Sequence, residues 1–194
     1  MTRIKYIVAL LNTPRFIFHS LFYALYRSKI KEDVAVGMSA HKIVGNEFLG
    51  LLYLLTFDKT FRNLFYYRIG HLKYFISFVA PPHNSFVIAT YSEIGKGFLG
   101  VHPIGTFVNA KRIGNFFTVK NNVTIGHNHE KAPSFGDNVT VNSGAIVVGD
   151  ITIGDNVQIG AGSVVTKSVP ANCVVVGNPA QIIRENGVRV NKRL

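Results

Sequence analysis

The stretch "IGDNVQIGAGSVVTKSVP" (residues 153–170) lies in a run where an apolar residue returns at every sixth position: Phe135, Val141, Val147, Ile153, Ile159 and Val165. A second column, Val139, Ala145, Ile151 and Val157, keeps the same step. A period of six matches neither the helical period near 3.6 nor the strand period of 2. It requires a repeating architecture in which each hexad contributes one short strand and one turn. Three hexads, about 18 residues, close a triangular coil with the apolar columns pointing inward. Glycines (Gly136, Gly154, Gly160) and the "DN" pairs at 137–138 and 155–156 suit the corners, where a left-handed backbone is needed. The expected fold is a parallel β-helix.

Upstream the hexad persists with slips. Ile94, Gly100 and Thr106 are six apart, as are Ile113, Val119 and Ile125. The step from Thr106 to Ile113 is seven, which predicts one extra residue bulging near Lys111 and Arg112. The step from Ile125 to Phe135 is ten, so "HNHEKAPS" (127–134) reads as a loop that leaves the coil and stands in for most of one hexad. About four and a half coils fit between residues 88 and 170. Before Pro81-Pro82 the pattern is helical. Thr13 is placed to cap a helix with Pro14 at its first position, Asn46 or Glu47 opens "EFLGLLYLLTF", and Asp58 caps "KTFRNLFYYRIGHLKYF". Irregular structure is expected around "KEDVAVGMSAHKIVG". The organisation predicted is a helical region at 1–80, a β-helix at 81–170 and a C-terminal turn and tail at 171–194.

The net charge of +11 calls for an anionic partner: nucleic acid, a lipid surface or a phosphorylated small molecule. No Lys/Arg-rich helix, RNA-recognition signature or zinc-finger spacing supports nucleic acid, and no nucleic-acid partner is expected. The single cysteine, Cys173, excludes an internal disulfide framework and fits a cytoplasmic protein. "YIVALL" (6–11) and "FIFHSLFYALY" (16–26) are each too short to span a bilayer. Two readings stand for residues 1–30: helices packing on the domain or a partner subunit, and peripheral contact with the inner face of a membrane.

The hexad count places chemistry on one line. His102 and Asn121 are third residues of the hexads that start at Gly100 and Val119. Ser143 and Ala161 are third residues too, 18 apart. Residues one coil apart stack at about 4.8 Å, so the four make a file of roughly 14 Å. The repeat resembles that of the hexapeptide-repeat acyltransferases, and a line of this length is on the scale of the extended pantetheine arm that this resemblance implies. Acyl transfer from a thioester to a hydroxyl needs a base for the proton and donors for the developing oxyanion. Histidine is the side chain whose ordinary pKa lies nearest working pH, so His102 is the candidate base and Asn121 the candidate donor or orienting group. The pair His127 and His129, with His102, raises a zinc alternative. No spacing places three imidazoles convergently, and no metal is expected.

Residues 86–186 resemble the hexapeptide-repeat, left-handed β-helix acyltransferases. "IGKGFLGVHPIGTFVN", then "IGNFFTVKNNVTIG", and the closing "GAGSVVTK…GNPAQIIRE" carry the likeness. It is narrowest toward the serine acetyltransferase-like O-acetyltransferases of bacterial capsule and exopolysaccharide clusters. The resemblance implies a left hand, a homotrimer, and acetyl-CoA held in grooves between neighbouring coils. It implies that Ser143, Gly144, Ala161 and Gly162 meet the pantetheine arm, and that Thr166, Lys167 and Arg184 lie toward the coenzyme A phosphates. Serine acetyltransferases carry an aspartate immediately ahead of the histidine, where Val101 stands here; Asn121 departs from their pattern as well. That favours a hydroxyl of a saccharide or sugar-lipid precursor as acceptor. Serine O-acetylation, and a catalytically weakened trimer acting as a ligand-binding or structural module, are the alternatives.

Overall fold

The computed structural model describes residues 2–127 and 131–194, with Thr2 described by its backbone alone. The chain forms two compact units, Met1–Asn84 and Ser85–Leu194.

The first unit is helical: α1 (Thr2–Leu11), α2 (Ile17–Leu25), α3 (Arg27–Ala40), α4 (Glu47–Phe57) and α5 (Lys59–Ile69). Two of the expected caps form. Asn46 Oδ1 accepts from Leu49 N at 2.9 Å, and Asp58 Oδ1 accepts from Thr60 N and Phe61 N, both at 2.9 Å. Thr13 is not a cap: its hydroxyl donates back to the Leu10 carbonyl, and Pro14–Phe16 is a 3₁₀ turn. Of the segment expected to be irregular, 31–45, the part up to Ala40 belongs to the helix α3, and only 41–45 is irregular. Tertiary packing stabilises this helix. Gly37 lies where a Cβ would come 2.9 Å from the Leu54 side chain, and Gly50 where one would come 2.2 Å from Met38 Sδ, so α3 and α4 approach closely. Asp33 on α3 forms a buried ion pair with Arg68 on α5, Nε to Oδ2 at 2.8 Å. Leu51, Leu52, Leu54, Leu55, Phe16 and Phe65 complete a solvent-free core.

The second unit is the expected parallel β-helix, of five coils rather than four and a half. Its first face stacks Phe86–Ile88, Thr106–Val108, Thr124–Gly126, Ile146–Val148 and Val164–Val165. The second stacks Glu93–Ile94, Arg112–Ile113, Ser134–Phe135 and Thr152–Ile153, with Val169 bridged to Ile153. The third stacks Leu99–Gly100, Thr118–Val119, Thr140–Val141, Gln158–Ile159 and Cys173–Val176. The coil therefore continues past residue 170, and Gln181–Glu185 and Val188–Arg193 extend the third face as an antiparallel hairpin. Both predicted columns are buried inside. Toward its start the interior is aromatic: Phe98 stacks on Phe86 and on Phe117, and Phe117 meets Phe135 edge-on.

The corner between the second and third faces shows why "DN" recurs. The left-handed position is filled by Gly97, Phe116, Asn138, Asn156 and Asn172, all with φ between 55° and 73°. Asn138 Nδ2 donates to Asn156 Oδ1 at 3.2 Å and Asn156 Nδ2 to Asn172 Oδ1 at 2.9 Å, an amide ladder along the corner. The residue before it caps the neighbouring coil: Asp137 Oδ1 accepts from Asn115 N, and Asp155 Oδ1 from Asp137 N, both at 2.7 Å. The Asn115 backbone and side-chain donors hold the Asp137 carboxyl below its ordinary pKa. Gly114 admits no side chain, since a Cβ there would lie 2.5 Å from the Gly136 carbonyl.

Two register details differ from the hexad count. Ile88 pairs with Val108 and Val108 with Ile125, so Val108, not Thr106, occupies the column. Gly100 to Val108 is then eight residues and Val108 to Ile113 five. The insertion lies in the corner around His102, and the chain is one residue short, not long, near Lys111. At the loop, Ile125 and Phe135 occupy successive faces of one coil, so the loop adds four residues to a hexad and replaces none.

Candidate active site

The edge between the third and first faces carries the predicted file. Strand register sets Val119 on Gly100, Val141 on Val119 and Ile159 on Val141. That aligns Asn121, Ser143 and Ala161 down the edge, as the count expects. Corner hydrogen bonds tie them: Gly144 N donates to the Asn121 carbonyl at 3.0 Å and Gly162 N to the Ser143 carbonyl at 2.9 Å. Gly144 and Gly162 take left-handed φ of 72° and 66°. Ser143 Oγ donates to Asn121 Oδ1 at 2.7 Å, which leaves the Asn121 amide nitrogen as the outward donor. The backbone amides of Ser143 and Ala161 enter no hydrogen bond among the described residues, and Ala161 is exposed.

His102 departs from strict stacking. Asn122 N donates to the Ile104 carbonyl at 2.9 Å, so Ile104 takes the fourth place in the corner file. His102 sits in the insertion just before it. Its φ is 47°, its carbonyl accepts from Ile104 N at 2.7 Å, and it is exposed. The extra residues place His102 outside the ladder, two positions before Ile104, which heads the Asn121–Ser143–Ala161 line. A backbone position in a sparsely used region at an exposed histidine is the kind of geometry that functional sites retain.

Lys167 and Thr166 stand on a different edge, between the first and second faces, and both are exposed. They line a cavity of about 360 Å³ with Val164, Pro179, Ala180, Gln181 and Arg193. Lys167 Nζ donates to the Leu194 carbonyl at 2.6 Å. Arg184 does not line this cavity. It is exposed on the hairpin, paired with Val174 and Arg189. Arg193 is the arginine beside Lys167, and the sequence holds no local sign of it because the hairpin register alone brings it there.

The first-to-second edge holds one more cluster. His127 Nε2 lies 2.8 Å from Tyr91 Oη, and its Nδ1 accepts from Asn109 Nδ2 at 3.0 Å. Both ring nitrogens thus have protein partners. His129 lies outside the described residues.

Comparison with known proteins agrees with this geometry. Residues 133–167 match the family described as bacterial transferase hexapeptide (six repeats). A serine acetyltransferase of Staphylococcus xylosus is 40% identical over 106 residues, 52% of this chain and 49% of that protein. The serine acetyltransferase of Synechococcus elongatus is 33% identical over 105 residues, 52% of this chain and 43% of its own. The chain spans about half the length of the curated relatives it matches. Among solved structures, the Neisseria gonorrhoeae serine acetyltransferase superposes with a TM-score of 0.68 at 25% identity, covering 86% of this chain and 67% of that one. The same enzyme in complex with serine gives 0.65 at 27%, covering 81% and 69%. Repeat, register and solved neighbours agree on the fold: residues 85–194 form a left-handed parallel β-helix of hexapeptide repeats, similar to that of these serine acetyltransferases.

Proposed function

We propose that this chain is an acetyl-CoA-dependent O-acetyltransferase working by direct transfer. His102 removes the proton of the acceptor hydroxyl, whose oxygen attacks the thioester carbonyl. The Asn121 amide steadies the oxyanion. Collapse of the tetrahedral species breaks the carbon–sulfur bond, and the imidazolium returns its proton to the departing thiolate. No covalent enzyme intermediate is needed, because the thioester is already activated. The observation that carries this reading is the edge on which Asn121, Ser143 and Ala161 line up, the last two amides uncommitted, with the exposed His102 in the insertion two residues before Ile104, which heads that line. Gly144 and Gly162 let the backbone turn beside that line.

The site divides between two edges that flank the first face. Lys167, Thr166 and Arg193 supply cations and a hydroxyl suited to the phosphates, and Arg184 lies further out on the hairpin. A single copy holds the two halves on opposite sides of that face. A homotrimer that places one copy's Lys167 edge beside the next copy's His102 edge is the assembly we propose. The outward file Val87, Phe107, Thr124 and Ile146, exposed along the same face and apolar apart from Thr124, supports it.

For the acceptor, the names of the matched relatives support serine ahead of a sugar, reversing the order that Val101 alone suggests. Val101 ahead of His102 still favours a saccharide hydroxyl as the second reading, since the aspartate expected there is missing. The test is release of free coenzyme A thiol from acetyl-CoA with serine and with a panel of sugars. Turnover on serine supports the first reading, and turnover on sugars alone the second. Coenzyme A binding with no turnover on any acceptor overturns both in favour of a binding module. The His102→Ala variant is expected to lose about 10²–10⁴-fold in turnover. Wild-type turnover in that variant removes His102 from the role of base. Lys167→Ala, Arg193→Ala and Arg184→Ala, read as KM for acetyl-CoA, rank the three cations.

A further inference from the structure

Residues 1–31 contain six basic side chains (Arg3, Lys5, Arg15, Arg27, Lys29, Lys31) and no acidic one. The helices α1 and α2 in this segment bury only part of their apolar surface. Ala9, Phe16 and Tyr23 enter the core of the helical unit. On the opposite side α1 exposes Ile4, Ile7, Leu10 and Leu11, which fall within one stripe at helical spacing, and Leu11 is 74% exposed. The helix α2 does the same with Ile17, Phe18, Leu21 and Leu25, with Phe18 at 60% and Leu25 at 67%. Among the described residues no helix is long and apolar enough to cross a membrane.

We propose that α1 and α2 form an interfacial docking surface for an anionic lipid bilayer, the apolar stripes entering the headgroup boundary and the basic residues meeting lipid phosphates. Exposed apolar stripes set among cations are the pattern of helices that lie in the plane of a bilayer surface. Charge decides the occupant. Arg27 is engaged with Glu47, Lys31 approaches Glu32, Arg15 donates to the Val79 carbonyl and Lys5 lies over the Phe57 ring, all partners beyond residue 31. That leaves Arg3 and Lys29 as the cations the bilayer would meet first; the segment itself carries no acid. A second copy docking on the same face would set cation against cation, whereas a leaflet of anionic lipids is complementary. The attraction is expected to weaken with salt, because the Debye length shrinks to about 8 Å at physiological ionic strength.

The experiment is co-sedimentation of the full chain with phosphatidylcholine vesicles, with and without phosphatidylglycerol, at low and high salt. The expected result is uptake by the phosphatidylglycerol vesicles, reduced by salt. Leu11→Asp/Phe18→Asp/Leu25→Asp should lower that uptake by about tenfold or more while the melting temperature holds, since all three side chains face solvent. A second variant, Arg3→Gln/Lys29→Gln, leaves the stripes intact and should shift the salt dependence. Absence of uptake at low salt overturns the proposal. So does uptake equal in wild type and the triple variant. An oligomer that the triple variant dissociates, without vesicle uptake by the wild type, assigns the face to a second copy instead.

Discussion

The two units of this chain are stabilised in different ways. In the β-helix each buried position is repeated one coil away: Phe135, Ile153 and Val169 stack on one face, and Val141, Ile159 and Val175 on another. Asparagine amides at its corners join ladders such as Asn138–Asn156–Asn172, and its buried polar side chains, Ser92, Thr106 and Ser163, are small hydroxyls hydrogen-bonded to the backbone. In the helical unit polar groups are buried singly. Arg62 is interior and donates to the carbonyls of Leu55, Thr56 and Pro81 at 2.6, 2.9 and 3.0 Å. Asp33 is fully enclosed against Arg68. His19 lies 2.8 Å from Tyr66 Oη, which donates to the Ala80 carbonyl, and the buried His19 Nδ1 has no hydrogen-bond partner among the described residues. Burial pushes the Tyr66 hydroxyl up to about 12 and the His19 imidazole down to about 4, the latter helped by the charges of Arg62 and Arg15. A repeated structure spreads its load over equivalent sites. A structure built once concentrates it in a few groups with no substitute.

That contrast can be broken at single residues. The largest effect is expected at Asp33. The Asp33→Ala change removes the carboxylate paired with the buried Arg68 guanidinium and should cost about 3–5 kcal/mol in denaturant unfolding of the full chain. Partial recovery is expected in the Asp33→Leu/Arg68→Leu pair. A cost under about 1 kcal/mol would mean that the helical unit tolerates such losses as well as a ladder does. Next comes Ile153→Ala in the coil interior, where the side chain is fully buried. About 3 kcal/mol is expected there, since neighbouring coils hold the cavity open.

Acid should act on the helical unit first. His19 stays neutral in the fold down to about 4, while in the unfolded chain it takes a proton near 6.5. Protons therefore favour the unfolded chain, and stability present at neutral pH is lost as pH falls from 6.5 toward 4. The melting temperature of wild type against His19→Phe over that window checks this, the variant being the less pH-dependent. The smallest effect is expected at the corner ladder. Asn156→Ala gives up both ladder amides and puts alanine at φ 57°, for a loss of about 1–2 kcal/mol. Melting of that variant as cooperative as wild type would confirm that the neighbouring rungs carry the load.

The same contrast explains what could be read in advance. The β-helix columns were legible because hydrogen bonding between coils enforces one inward direction per hexad, so counting by six reaches Val165 from Phe135 without error. The step from Ser143 to Ala161 followed from the same count, whereas Asn121 to Ser143 spans the loop, whose four added residues only the strand register reveals. The count erred near His102 because Thr106 and Val108 are both buried, and nothing local says which one occupies the column. Caps at Asn46 and Asp58 were legible because they depend on residues three positions away. The helix at Arg27–Ala40 was not, because its stability comes from Asp33 meeting Arg68 and from Gly37 and Gly50 admitting neighbours.

Sequence alone determined that residues 88–170 coil into a parallel β-helix, since a six-residue period with glycine and asparagine corners has one compact way to bury its columns. It also determined that the segment at the start of the chain is basic and amphipathic. Tertiary structure decided the rest. It set the His102 insertion before Ile104, brought Arg193 rather than Arg184 beside Lys167, and placed the cations on a different edge from the imidazole. These are long-range pairings. Their geometry depends on how many residues each corner holds and on a hairpin folding back over the last coil, and no short window of sequence carries that information.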